Sequence, residues 1–240
     1  MYKLRLLTYN MPTRTQKDKD FIISNLEETY FIENFVTKQD ISQLIDSWHQ
    51  SKNKVYKKTG PVTSNIENHD TPVLDKIKKK IKELYPNSEV MSGHFFYVNY
   101  PHIIHNYDSY KLPKIYKAFN IPLKYEGDEL PYLCFFDQIY LDGPSKFFKG
   151  ETHVETHHNK IIYDYENVLG KTDEPFDSHI KEKYFTHLKD EWLEGLSFNS
   201  AHHWQPGNAI VFDCCRLHSA SDFRKNVKSK LGLSIFTQHI

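Results

Sequence analysis

The sequence predicts a mainly β protein with N-terminal helices: a β-sandwich or jelly roll carrying helices on its outside. Three observations predict it. Helical periodicity is concentrated before residue 89, and short aromatic runs broken by Pro or Gly follow it. No strand–helix–strand alternation occurs, which argues against a parallel α/β sheet. The 240 residues are 39% hydrophobic and 15% aromatic, enough for a substantial core and too much for a disordered chain. No repeat or Gly/Ser/Pro-rich linker divides them, so a single domain over 1–240 is expected, with 1–88 as helical support and 89–240 as the β core.

The elements follow in order. A short strand leads the chain. Thr37 opens T-K-Q-D, an N-cap with Asp40 at the third helical position, and Ile41, Leu44, Ile45 and Trp48 follow at helical spacing. Thr71-Pro72 opens a second helix with Val73, Leu74, Ile77, Ile81 and Leu84 on one stripe. Its lysine run, Lys78 to Lys80, reads as the solvated face. Strands are expected over 95–100, 121–125 and 132–141, the last ending at the Asp142-Gly143-Pro144 turn. Phe185, Leu188, Trp192 and Leu196 suggest a helix over about 183–196. A Gln205–Asn208 turn then leads into a strand at 209–212, and a last strand covers 231–236.

Composition bounds the function. Thirty-one basic and 31 acidic residues cancel, which argues against a general binder of nucleic acid or anionic membrane. No apolar run approaches the roughly 20 residues of a spanning helix, and the first ten residues hold too short an apolar stretch for a secretion signal. Three cysteines without a C-x-x-C pair suit reduced thiols and a cytoplasmic setting. With 27 Lys against four Arg, a lysine can stand where another chain would carry arginine.

Fourteen histidines concentrate the chemistry. They gather in the stretch Pro101-His102-Ile103-Ile104-His105-Asn106-Tyr107-Asp108, in His153-Val154-Glu155-Thr156-His157-His158, in His202-His203, and at His218 beyond the 209–212 strand. Two imidazoles and one carboxylate on one face, with open positions opposite, are the donor set of a non-haem Fe(II) site.

The stretches Y-P-H-I-I-H-N-Y-D, I-P-L, F-F-D-Q, the P-G turn running through His218, and K-L-G-L-S-I-F span roughly residues 89 to 240. In this order they resemble the Fe(II)/2-oxoglutarate-dependent dioxygenases, the prolyl-hydroxylase and phytanoyl-hydroxylase-like superfamily, and look closest to small phage and marine microbial members. The resemblance implies a double-stranded β-helix (jelly roll, cupin-like) with supporting helices. Carried over, the family's H-x-D or H-x-E motif and distal histidine fall on His105, Asp108 and His218 as catalytic iron ligands. The spacing here is H-x-x-D, one residue longer, and the strict H-x-E string is His153-Val154-Glu155, which stays open as the alternative pair. His105 and Asp108 are preferred because strands like I-P-L and F-F-D-Q follow the first ligand pair in the family.

The family's cation for the distal carboxylate of 2-oxoglutarate falls on Lys230, with Ser234 adding a hydroxyl and Tyr97 also reaching the cosubstrate; Lys228 and Arg224 compete with Lys230. The implied reaction consumes 2-oxoglutarate and O2, releases succinate and CO2, and hydroxylates an unactivated C–H of a small molecule or a protein side chain. A retained Asp108 argues against a halogenase. Arg14, Arg216, Trp204 and the 153–158 loop are candidates for the mouth of the site. Two other readings stay open: a non-catalytic jelly-roll binding protein, and a cupin-like metalloenzyme that does not use 2-oxoglutarate.

Overall fold

Each N-terminal helix begins where a threonine hydroxyl caps it. Thr15 and Thr37 form reciprocal capping boxes with Asp18 and Asp40 at the starts of α1 (Gln16–Ser24) and α2 (Lys38–Gln50). Thr71 accepts from the Val73 amide and Pro72 takes the first position of α3 (Pro72–Leu84). These elements are drawn from a computed structural model whose described residues are 14–56, 61–107, 115–142 and 168–240. The leading strand, the Gly143-Pro144 part of the turn, Asp108 and the His153–His158 stretch lie outside the described residues.

Among the described residues the strands form two antiparallel sheets. The large one has the order β1 (Tyr30–Ile32), β7 (Ala209–Asp213), β4 (Ile115–Gly127), β9 (Val227–His239), β3 (Ser88–Val98), β2 (Val62–Asn65). The small one is β6 (Phe198–His203), β5 (Tyr132–Ile139), β8 (Arg216–Ala220). His105 extends its β8 edge by a bridge to His218. Pro122 sits in a central strand because the register shifts beside it, between Pro122 and Lys124.

Alternation along the strands divides the core. Phe95, Phe119, Ile121, Val211, Leu231, Leu233 and Ile235 face outward from the large sheet and bury the apolar stripes of α2 and α3. Phe212, Phe236, Leu133, Phe135 and Trp204 fill the space between the sheets. Cys134, Phe136 and Leu217, on the far face of the small sheet, are covered by Tyr184, Phe185, Leu188, Leu193 and Leu196. In the lysine run, Lys78 and Lys79 are exposed, whereas Lys80 turns back to donate to Phe35 O at 2.6 Å.

Two expectations are corrected. The helix expected over 183–196 is shorter and earlier: α4 is Ser178–Tyr184, followed by turns and one 3-10 turn at Asp190–Trp192. The Tyr184 carbonyl accepts from the Asp222 amide at 2.7 Å, the bond that residue 188 would make in a continued helix, while the same apolar residues still reach the core. His218 does lie beyond β7, but in the middle of a strand of its own, β8, rather than at the end of one. No helix among the described residues is long and apolar enough to cross a membrane.

The outer face of the large sheet also holds a buried charge cluster. Lys117, 1% exposed, reaches Asp213 at 2.6 Å and Glu27 at 3.0 Å, and Glu27 N donates to Asp213 at 2.9 Å. The cluster ties the segment after α1 to β4 and β7. Removing one member strands a buried charge, so Lys117→Met is expected to lose about 3–5 kcal/mol in urea unfolding. The apolar pair Lys117→Met/Asp213→Leu should recover most of that loss, since a packed apolar pair replaces an ion pair nearly neutrally.

Candidate metal centre and anion site

His105 and His218 face each other directly. Each backbone N–H donates to the other's carbonyl, both at 2.9 Å, and side chains of such an antiparallel pair leave the sheet on the same side. The imidazole centroids stand 4.2 Å apart. His105 Nδ1 lies 2.8 Å from Ile103 O and His218 Nδ1 2.9 Å from Arg216 O. A carbonyl can only accept, so both Nδ1 atoms carry a proton; in a neutral ring the lone pair is then on Nε2. His218 is fully buried, its Nε2 has no hydrogen-bond partner among the described residues, and burial pushes its pKa down to about 4. A buried, neutral imidazole with an unmatched lone pair and a carbonyl-fixed tautomer is how a metal-ligating histidine is built. The pair therefore fits an iron ion.

Among the described residues no three His, Cys, Asp or Glu side chains converge on one point. Asp108 and the alternative pair His153/Glu155 lie outside the described residues. The residue two beyond His105, on the same face by alternation, is Tyr107. Its ring packs 5.2 Å from His105 and 4.6 Å from His218, and its phenol reaches Asn120 and Ser234. Burial raises its pKa, which keeps it a neutral phenol. The His102 ring lies 4.3 Å from that of His105, tilted by 40°.

The three cations considered for the cosubstrate separate cleanly. Arg224 is on the surface, gripping Asp222 through two nitrogens at 2.8 and 2.6 Å. Lys228 has a side chain 81% exposed, near Glu126. Lys230 is 3% exposed and turns into the space between the sheets, with Nζ 4.6 Å from the centroids of both Trp204 and Phe223. It makes no ion pair among the described residues, and burial pushes its pKa down to about 7. Ser234, two pleats further along the same face of β9, is fully buried and donates to Asn120 at 2.5 Å.

Tyr97 is not brought to the site. Its neighbours Phe96 and Val98 point between the sheets, so Tyr97 points the other way and is 38% exposed. Arg216 donates to Glu27 O at 3.3 Å, and Trp204, 1% exposed, is a core residue rather than part of a mouth. Tyr107, Asn120 and His187 were not singled out from the sequence. The signal for Tyr107 was alternation from His105; Asn120 faces it only through strand pairing. His187 was concealed inside an apparent helix.

No family model and no curated protein matches the chain. Among solved structures it is similar to the alpha ketoglutarate dependent epimerase SnoN in complex with Fe3+, alpha ketoglutarate and nogalamycin RO. There the TM-score is 0.53 at 10% identity, over 92% of this chain and 83% of that one. HygX from Streptomyces hygroscopicus, with nickel, 2-oxoglutarate and hygromycin B bound, gives 0.52 at 9%, over 94% and 87%. A Pseudomonas putida prolyl-4-hydroxylase gives 0.50 at 10%, over 92% and 96%. The chain has the fold of the 2-oxoglutarate-dependent oxygenases. That oxygenase fold places the histidine pair and Lys230 on the faces that look at each other across the two sheets.

Metal binding to the histidine pair should appear as stability. Titrated anaerobically with Fe(II), or with Mn(II) in its place, the protein is expected to melt at higher temperature, with about 2.7 kcal/mol gained at a hundredfold excess over Kd. His218→Ala should abolish the gain.

Proposed function

We propose that this protein is an Fe(II)- and 2-oxoglutarate-dependent oxygenase that hydroxylates an unactivated C–H of a small molecule or protein side chain, releasing succinate and CO2. The two sheets are read as the double-stranded β-helix of that superfamily, with residues 1–240 acting as one domain. One observation carries the reading: two imidazoles held at Nδ1 by carbonyls, of which His218 is neutral with an Nε2 unmatched among the described residues, share the between-sheet space with a buried lysine that makes no ion pair among those residues. A solitary ammonium in an apolar interior calls for an anion. Three buried cysteine thiols suit a reducing cytoplasm.

In this reading His105 and His218 hold iron through Nε2 and Asp108 supplies the carboxylate. Iron and 2-oxoglutarate together supply the oxidising power for O2 activation. The chain does the rest. The Ile103 and Arg216 carbonyls fix the imidazole tautomers. Lys230 anchors the far carboxylate of 2-oxoglutarate, with Ser234 on the same face of β9. Phe135, Phe212 and Phe236 keep the interior apolar, which strengthens that charge contact.

One observation favours a second reading, a jelly roll that binds without catalysing: two residues beyond His105, where an unbroken H-x-D motif would have its carboxylate, stands Tyr107. The two part on one experiment. Anaerobic addition of Fe(II) and then 2-oxoglutarate is expected to raise a visible metal-to-ligand charge-transfer band, which oxygen discharges with formation of succinate. No band and no succinate would leave the binding reading in place.

The anion site also predicts a pH dependence. The groups facing Lys230 are the Trp204 and Phe223 rings and, further off, Cys134 and His187, with Asp222 and Arg224 behind His187. Below about pH 7 Lys230 is charged in both folded and unfolded chains. Between about 7 and its ordinary 10.5 the unfolded chain holds the extra proton, so ligand-free stability rises with pH across that window. A carboxylate binds the ammonium form, so calorimetric affinity for 2-oxoglutarate should fall above about pH 7, by up to about tenfold per unit. In Lys230→Arg, whose charge does not titrate, the slope is expected to vanish.

A further inference from the structure

Trp204 follows β6, its amide donating to Pro131 O at 2.7 Å, and its indole Nε1 is buried with no hydrogen-bond partner among the described residues. Buried tryptophans ordinarily find a partner for this donor, so an unmatched one needs an explanation. Gly232 shows where that edge of the ring lies. A Cβ there would stand 2.6 Å from Trp204 Cζ2, the carbon on the same edge of the indole as Nε1, and 2.6 Å from Phe96 Cζ. The N–H edge therefore runs along β9 at residue 232, midway between Lys230 and Ser234 on the face they share. Lys230 Nζ lies 4.6 Å from the same indole. Two donors without partners among the described residues, an indole N–H and an ammonium, thus adjoin in an apolar interior, and the residue between Lys230 and Ser234 is the one without a side chain.

We propose that the Trp204 indole N–H is a second, directional donor to the carboxylate that Lys230 anchors, making Trp204 a positioning residue for the cosubstrate. This rests on the oxygenase reading. The chemistry divides the work: an ammonium is a point charge that attracts a carboxylate without fixing its plane, whereas one indole N–H sets a direction. Trp204 also contributes its ring face to the ammonium, which steadies Lys230 when charged.

The test uses the full chain loaded with Zn(II) in place of iron, so that no turnover intervenes, with 2-oxoglutarate as the probe. The protein has three tryptophans, giving three indole N–H signals in a nitrogen-15 spectrum; one is expected to move downfield when 2-oxoglutarate binds. Trp204→Phe keeps an aromatic ring beside Phe96 and Lys230 and removes the indole N–H. Its calorimetric Kd for 2-oxoglutarate should be about tenfold weaker, as for loss of one hydrogen bond to a charged group, and the moving signal should be the one it lacks. If the wild-type protein binds 2-oxoglutarate while no indole signal moves, the inference is overturned and the oxygenase reading stands; the same holds if Trp204→Phe folds and binds equally well. Should the wild-type protein fail to bind 2-oxoglutarate at all, both fall together. The spectrum of the unaltered protein decides the matter even if the variant does not fold.

Discussion

The site depends on two backbone hydrogen bonds, those exchanged by His105 and His218. They make the two residues a directly opposed antiparallel pair, and that pairing alone aims both imidazoles into the space between the sheets. A one-residue slip would turn every side chain of the segment to the other face. Ile104 would then point inward while His105 met the apolar cover around Leu188 and Leu193. The carbonyls of Ile103 and Arg216, each two residues before its histidine, fix the tautomers from the same backbone. Ladder, side-chain direction and lone-pair direction thus come from one local arrangement, which explains how a short bridge can carry a site.

The large sheet holds two buried lysines on opposite faces, and the contrast separates architecture from chemistry. Lys117 is matched by Asp213 and Glu27 and fastens the segment after α1 to the sheet. Lys230 has aromatic rings for neighbours and no carboxylate among the described residues. A matched buried charge is a structural tie, costly to break and dispensable as a pair. An unmatched one lowers the stability of the free protein and is returned when an anion enters. Strain of this kind is retained where binding uses it, in keeping with the clustering of perturbed groups at functional sites.

Much of this was legible in the sequence because it rests on local rules. The capping threonines 37 and 71, the stripes of α2 and α3, and Lys230, Gly232 and Ser234 sharing one face all follow from spacing. What was not legible depends on distant partners. β6 and β8 are short and polar in composition, and they exist because β5 pairs with both. The helix expected after residue 183 stops because Asp222, far along the chain, takes the Tyr184 carbonyl. Tyr97 was placed on the correct strand but on the wrong face, since the phase of alternation is set by packing against α2 and α3. Trp204 looked like a surface aromatic beside a turn; only the pairing of β6 with β5 shows it to be internal.

The unusual H-x-x-D spacing has a geometric meaning. In an unbroken strand His105 and Tyr107 share the interior face, and residue 108 faces away. Tyr107 is still held in the sheet, its amide donating to Cys214 O at 2.8 Å. The Tyr107 phenol occupies the interior between the histidines and Ser234, reaching Asn120, and so joins the two faces of that interior, the imidazoles on the small sheet and the Lys230 face of β9 on the large one.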